Sequence, residues 1–166
     1  LEKIIKRVLE DKARFERELR IRQQQETLKT KSFKALKGQL PWPAEGRIIS
    51  KFGRQWNPKL KTTTENPGID IKGKPGSSIR TVLGGVVTTI TYIRGYGTTI
   101  IVDHGGGFYT VYSHVTNIQT NVDSQVRNGD VIAYMGDSGS INGSKLHFEI
   151  WGKGQKLNPE KWLRKK

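Results

Sequence analysis

Hydrophobic and polar positions follow two different rhythms along the chain. In the first, Leu1, Ile5, Val8, Phe15 and Leu19 recur at a four-and-three spacing among Lys, Arg, Glu and Gln, and the stripe lapses at Lys12 and Arg22. That spacing makes one side of an α-helix apolar, and no Gly or Pro interrupts it before about Gln25. It predicts an amphipathic helix, either the end of a coiled coil or a solvated helix packed on the next domain. Fewer than three clean heptads do not decide between the two. Thr27 to Lys37 reads as a continuation with breaks. The run GQLPWP (Gly38 to Pro43) then ends any helix, because Gly38 can cap it and two prolines stop it. The expected division is a helical segment over residues 1–37, a linker over 38–43 and a second domain over 44–166.

Beyond the linker the rhythm shortens to two. GRIISKFG (Gly46 to Gly53), GIDIKG (Gly68 to Gly73), Ile79 to Ile93, Thr98 to Val115 and GDVIAYMG (Gly129 to Gly136) are β-branched or aromatic runs bounded by Gly, Asp or Asn. No segment between them has a helical pattern. The reading is an all-β domain of antiparallel sheets, sandwich-like, behind an N-terminal helix. The glycines at 105–107 suit a hairpin loop, and those at 129, 136 and 139 suit turns. In GSKLHFEIW (Gly143 to Trp151), Leu146, Phe148 and Ile150 alternate with Lys145, His147 and Glu149, the period of a half-buried strand. Lys145 and His147 then share the polar face: one imidazole with a fixed cation beside it.

Charge and composition narrow the chemistry. The chain has 166 residues, no Cys and a net charge of +14, so neither disulfides nor thiolate metal sites are available. Residues 1–40 carry 12 basic and 6 acidic side chains and residues 41–166 carry 17 and 9, so the excess is spread over both parts. Such a charge suits polyanions in general: nucleic acid, teichoic acid, anionic lipid, peptidoglycan carboxylates or an acidic protein. The aromatic-and-basic modules of RNA-binding folds are missing, and nucleic acid is not an expected partner. The chain opens on LEKIIKRVLE without a Met or a signal-peptide pattern, which reads as a piece of a longer protein. Its three histidines are His104, His114 and His147. From composition alone Asp70, His114 and His147 are a conceivable zinc triad, though a lone His or Asp on a strand is more often a surface or hydrogen-bonding residue.

The blocks NPGIDIKGKPGSSIRTVLGGVV, GYGTTIIVDHGGGFYTVYSHV and VRNGDVIAYMGDSGSINGSKLHFEIW, in this order, resemble the LytM or M23 family of peptidoglycan peptidases over nearly all of residues 41–166. In active members the pattern is H-x-x-x-D, then Y-x-H, then H-x-H followed by F-E. The first His, the Asp and the last His hold zinc, and the two other histidines position water and substrate. Carried over, the zinc ligands fall on Asn66, Asp70 and His147, and the catalytic pair on His114 and Lys145. The resemblance thus implies two lost imidazoles. An amide oxygen is a weak zinc ligand. An ammonium about 4 Å from a metal position costs about 4 kcal/mol per unit charge at an effective dielectric near 20. The expectation is no metal, no cofactor and no peptidase activity, with Asp70 and His147 as vestiges and His104 structural.

Degenerate LytM domains behind a coiled coil resemble the EnvC-like activators of Gram-negative cell division, and the closing GQKLNPEKWLRKK fits that group. The resemblance implies a periplasmic, non-catalytic factor that activates an N-acetylmuramoyl-L-alanine amidase, tied through its coiled coil to an FtsEX-type membrane complex. A peptidoglycan-binding scaffold without an amidase is the alternative, and a residual zinc endopeptidase using Asp70, His114 and His147 a further one. The expected partner groove is lined by Asn66, Asp70, Tyr96, Tyr112, His114, Lys145 and His147. A helix from residues 1–37 lying in that groove would switch the activator off.

Overall fold

A computed structural model describes the backbone of residues 2–137, 140 and 143–166, and within its first helix the side chains of residues 22–32 are not described. That helix, α1 (Glu2–Ala35), runs on where the sequence suggested breaks after Gln25. No Gly or Pro occurs before Gly38, so nothing in the backbone chemistry stops it earlier. Leu36 N–H bonds back to the Phe33 carbonyl, and Gly38 then turns the chain at φ +81°. Ile5, Val8, Phe15 and Leu19 of the apolar stripe are exposed; Leu1 and the side chain of Arg22 lie outside what is described. Among the described residues no helix is long and apolar enough to cross a membrane.

The rest is β-structure: β1 (Arg47–Ser50), β2 (Gly53–Asn57), β3 (Thr62–Asn66), β4 (Ile69–Lys72), β5 (Ser78–Arg80), β6 (Gly85–Ile93), β7 (Gly97–Gly105), β8 (Phe108–Ser113), β9 (Val115–Thr116), β10 (Gln125–Val126), β11 (Val131–Met135), β12 (Lys145–Gly152) and β13 (Gln155–Leu157). A single-turn helix, α2 (Pro159–Trp162), closes the chain, capped by the Asn158 carboxamide. The large sheet runs β1-β4-β12-β8-β7-β6-β10, with β13 paired to the end of β12. A smaller sheet, β5-β11-β9, and the separate hairpin β2–β3 complete the domain. All strand pairs are antiparallel, as the hairpin pattern predicts. The triple glycine does turn β7 into β8, with φ of +86°, +63° and +88°, values that only Gly adopts freely.

The core lies on one face of the large sheet. Ile69 and Ile71 of β4, Leu146, Phe148 and Ile150 of β12, Tyr112 of β8 and Ile100 and Val102 of β7 meet Ile79, Ile132, Ala133 and Met135 of the small sheet. At the end of β7 farthest from Gly97, Phe33 of α1 enters this core, with ring centroids 4.7 Å from Phe108 and 5.4 Å from Trp162. Full burial of each large apolar side chain contributes roughly 1.5–3 kcal/mol, so this face supplies most of the driving force for folding.

One expectation needs correcting. β12 is not half-buried: Lys145, His147 and Glu149 on its polar face are nearly as enclosed as Leu146, Phe148 and Ile150 on the other. The strand is interior to the sheet, flanked by β4 and β8, and on its polar face the Tyr96 ring lies 5.0 Å from that of His147. Gly136 differs as well. It makes no free turn but bridges to Lys145, its N–H bonded to the His114 carbonyl and its carbonyl accepting from Lys145 N–H. Gly129 does occupy a turn at φ +77°, and Gly139 lies outside the described residues.

Candidate functional site

Side-chain parity across three strands builds the site. His147 pairs with Asp70 of β4 on one side and with Ser113 of β8 on the other, so all three project from the same face. Two residues along, Lys145 joins them. Asp70 reaches that position because the turn before β4 is tight: the Asn66 Oδ1 accepts the Gly68 N–H at 3.0 Å. At Gly68 a Cβ would stand 2.1 Å from the Phe148 carbonyl oxygen, so only glycine lets β4 close on β12 here. Asn66 Nδ2 donates to Ser50 Oγ at 2.9 Å, which ties the turn to β1.

His114 arrives by a different route. An unbroken strand would put Tyr112 and His114 on one face. At φ +64° His114 leaves the strand conformation, held by its N–H to the Tyr96 carbonyl at 2.8 Å, and its side chain reaches the site instead of the core. A non-glycine residue in this region costs of order 1 kcal/mol, and strain of this kind concentrates at functional positions.

The result is an open groove of about 380 Å³ lined by Ser50, Thr64, Glu65, Asn66, Pro67, Asp70, Gly95, Tyr96, His114, Lys145 and His147. Six of the seven expected side chains come together there. Tyr112 does not. It is fully buried on the opposite face, its ring 5.3 Å from Phe148 and its hydroxyl receiving the Val82 N–H at 3.1 Å. The break at His114 is what separates the two residues of the Y-x-H pair. Tyr96, expected at the rim, lies over the floor with its ring 5.0 Å from that of His147. No described side chain of α1 lines the groove. His104 is remote from it and structural: its two ring nitrogens bond the Gly84 carbonyl at 2.9 Å and the Thr110 hydroxyl at 2.7 Å.

The floor is one hydrogen-bonded chain. Lys145 Nζ donates to Asp70 Oδ2 at 3.0 Å, and His147 Nδ1 donates to Asp70 Oδ1 at 2.6 Å. On its other side His147 Nε2 donates to Glu149 Oε2 at 2.7 Å, and Trp151 Nε1 donates to Glu149 Oε1 at 2.8 Å. With Asp70 and Glu149 ionised, as their lowered pKa values favour, their oxygens only accept, so both imidazole nitrogens carry protons and His147 is an imidazolium. Burial alone would push the His147 pKa down, but its bonds to Asp70 and Glu149 and their charges outweigh it and hold the pKa above the ordinary value. Burial would likewise raise Asp70 and Glu149, yet the bonds and charge of His147, helped by Lys145 and Trp151, keep both below the ordinary carboxylate range. Glu149 and Trp151 were not expected in the site. The signal was present in the alternation, which places Glu149 and Trp151 on the face of Lys145 and His147.

Metal ligation needs free lone pairs on these atoms. Both nitrogens of His147 carry protons and have no lone pair to offer, the Lys145 ammonium sits against Asp70 Oδ2 where a cation would approach, and the Asn66 amide closes a turn. Among the described residues, no group of three or more His, Cys, Asp or Glu side chains is arranged to hold a metal ion. These residues do not fit a zinc centre. What the groove offers is a charged, rigid floor, an aromatic ring and a polar wall from β3.

Antiparallel sheets in this order, with a site on the polar face of β4 and β12, define the fold class, and comparison with known proteins agrees. Residues 64–159 match the description of peptidase family M23, and the chain belongs to that family. It is 33% identical over 129 residues to "Murein hydrolase activator EnvC" of Escherichia coli (strain K12), covering 78% of this chain and 30% of that protein. It is 37% identical over 123 residues to "Murein hydrolase activator NlpD" of the same organism, covering 74% and 30%. The chain thus spans about 30% of the length of the curated relatives it matches. A zinc-containing peptidase from Vibrio cholerae superposes with a TM-score of 0.68 at 21% identity, over 76% of this chain and 40% of that one, a likeness of fold alone.

Proposed function

We propose that this domain is a non-catalytic member of its family that activates a cell-wall N-acetylmuramoyl-L-alanine amidase during daughter-cell separation. The observation that carries the reading is the Lys145–Asp70 ion pair: an ammonium occupies the carboxylate that family zinc sites use. Asn66 and Lys145 stand where the family pattern has histidines, and neither is replaced by another imidazole, because the remaining histidine, His104, is consumed in the core. The relatives named as murein hydrolase activators support the same direction. On this reading the emptied groove receives a segment of the amidase, with Tyr96 as its aromatic contact. The exposed stripe of α1 continues toward a coiled coil, through which an FtsEX-type membrane complex would act in the periplasm. The described side chains of α1 lie clear of the groove.

A peptidoglycan-binding scaffold without an amidase is favoured by one observation, the charge of +14. Salt separates the two readings, since a purely electrostatic hold on the wall is screened by added salt. The test is dye release from labelled cell wall by the domain, by an amidase and by both. Faster release by the pair than by the amidase alone, with none from the domain alone, supports activation. Release by the domain alone, or no acceleration of any amidase tried alongside salt-sensitive retention on the wall, refutes it.

A further inference from the structure

We propose that the Lys145 ammonium takes the structural part of a metal cation in this site, clamping Asp70 of β4 to His147 of β12 so that the groove is preformed without metal. The floor is an alternating series of charges: Lys145 positive, Asp70 negative, His147 positive, Glu149 negative, ended by the neutral donor Trp151. Every link is closed at 2.6–3.0 Å. The side chains are only 11%, 14%, 4% and 11% exposed in that order, so these are enclosed pairs and not solvated surface ones.

Asp70 stands between two cations, as a carboxylate does between a metal and its supporting partner. Taking the ammonium away leaves Oδ2 with no donor at the floor of a groove. A surface lysine would not be held so firmly. The backbone of Lys145 is pinned twice, by its pairing with Lys72 of β4 and by its N–H to the Gly136 carbonyl at 3.2 Å, which aims the side chain across the floor. Gly136 also bonds the His114 carbonyl, so the Lys145 backbone adjoins the strained turn that brings His114 into the groove. Lys145 is therefore a positioning residue: its ammonium orders Asp70 and, through Asp70, His147, and need touch no partner. The inference rests on the metal-free reading of the site and not on the choice of partner.

Thermal melting of the purified chain tests it with no amidase present, so a failure here is distinct from a failure to activate. Wild type is expected to melt at the same temperature with zinc or with a chelator. Lys145→Met is expected to melt about 5 °C or more lower, the usual consequence of removing one partner of an enclosed pair. Zinc should raise the melting point of Lys145→Met, because the freed Asp70 carboxylate regains a cation, while Lys145→Arg should stay nearer wild type. An unchanged midpoint for Lys145→Met, or zinc stabilising wild type as much as the variant, overturns the proposal. Should Lys145→Met not fold, the ring of His147 in the unaltered protein decides by 1H–15N spectroscopy. Protons on both nitrogens, unmoved by chelator or by added zinc, uphold the clamp; loss of a ring proton on adding zinc overturns it.

Discussion

The two faces of β12 are made from the same eight residues and are enclosed to nearly the same degree, yet they are stabilised by opposite means. On one, Leu146, Phe148 and Ile150 lose water against the apolar core, a gain that is non-directional and tolerant of small shifts. On the other, Lys145, His147 and Glu149 lose the same water at a large electrostatic cost, recovered only because each charge meets its opposite at hydrogen-bond distance. The lesson is that the apolar face holds the domain together, while the polar face fixes the shape of one place in it. Geometry, and not burial, is what the polar face contributes.

That contrast can be broken at graded cost. Phe148→Ala should have the largest effect, about 3–5 kcal/mol, read as a collapse of the denaturant midpoint for the whole domain. Asp70→Ala should follow at about 2–3 kcal/mol, since it leaves an imidazolium and an ammonium side by side without their shared carboxylate. The near-ultraviolet signal of the aromatic core is expected to survive in the folded Asp70→Ala protein and to be lost in Phe148→Ala.

The pH dependence of stability should sharpen the comparison further. The His147 pKa is raised by folding, so its contribution is complete below the ordinary histidine value of 6.5 and is lost as pH climbs through the raised value. Asp70 and Glu149 are lowered, so theirs is complete above their ordinary values of 3.8 and 4.5 and is lost as pH falls through the lowered ones. Denaturant midpoints measured across pH should therefore peak in the mildly acidic range and decline on the alkaline side. That decline should vanish in His147→Phe; a flat profile in wild type would mean that His147 is not charged in the folded state. The smallest effect on stability is expected for Tyr96→Ala, about 1 kcal/mol or less, because its ring is only partly covered. Its effect on amidase acceleration in dye release should be the reverse, a loss of most of it.

How much of this was legible in the sequence follows the same division. Period-two alternation located the strand runs and the face of β12 that carries Lys145 and His147, because a pleat leaves no choice of side. The hairpin glycines were legible for the same kind of reason, since their φ values exclude most other residues. What could not be read was tertiary. β3, with TTTEN, gives no alternation because its side chains are nearly all exposed, and so the wall of the groove was missing from the strand assignment. Tyr112 was misplaced because sequence spacing assumes a continuous strand, and the left-handed backbone at His114 breaks it one residue too late for any pattern to show. Enclosure of the polar face of β12 depends on neighbours far away in the chain. Glu149 and Trp151 were visible as positions on the right face, but the bond of Glu149 to His147 and that of Trp151 to Glu149 depend on side-chain rotamers that spacing does not fix.

The central claim is that this site holds its shape with an ammonium where its family uses a metal, and the most direct measurement is the metal content of the purified domain. The protein would be equilibrated with zinc, dialysed free of unbound ion and analysed by mass spectrometry of the elements. The account predicts no stoichiometric zinc in wild type. One zinc ion per chain, retained through dialysis and lost in His147→Ala, would contradict it and would mean that Asp70 and His147 exchange their present partners for a metal.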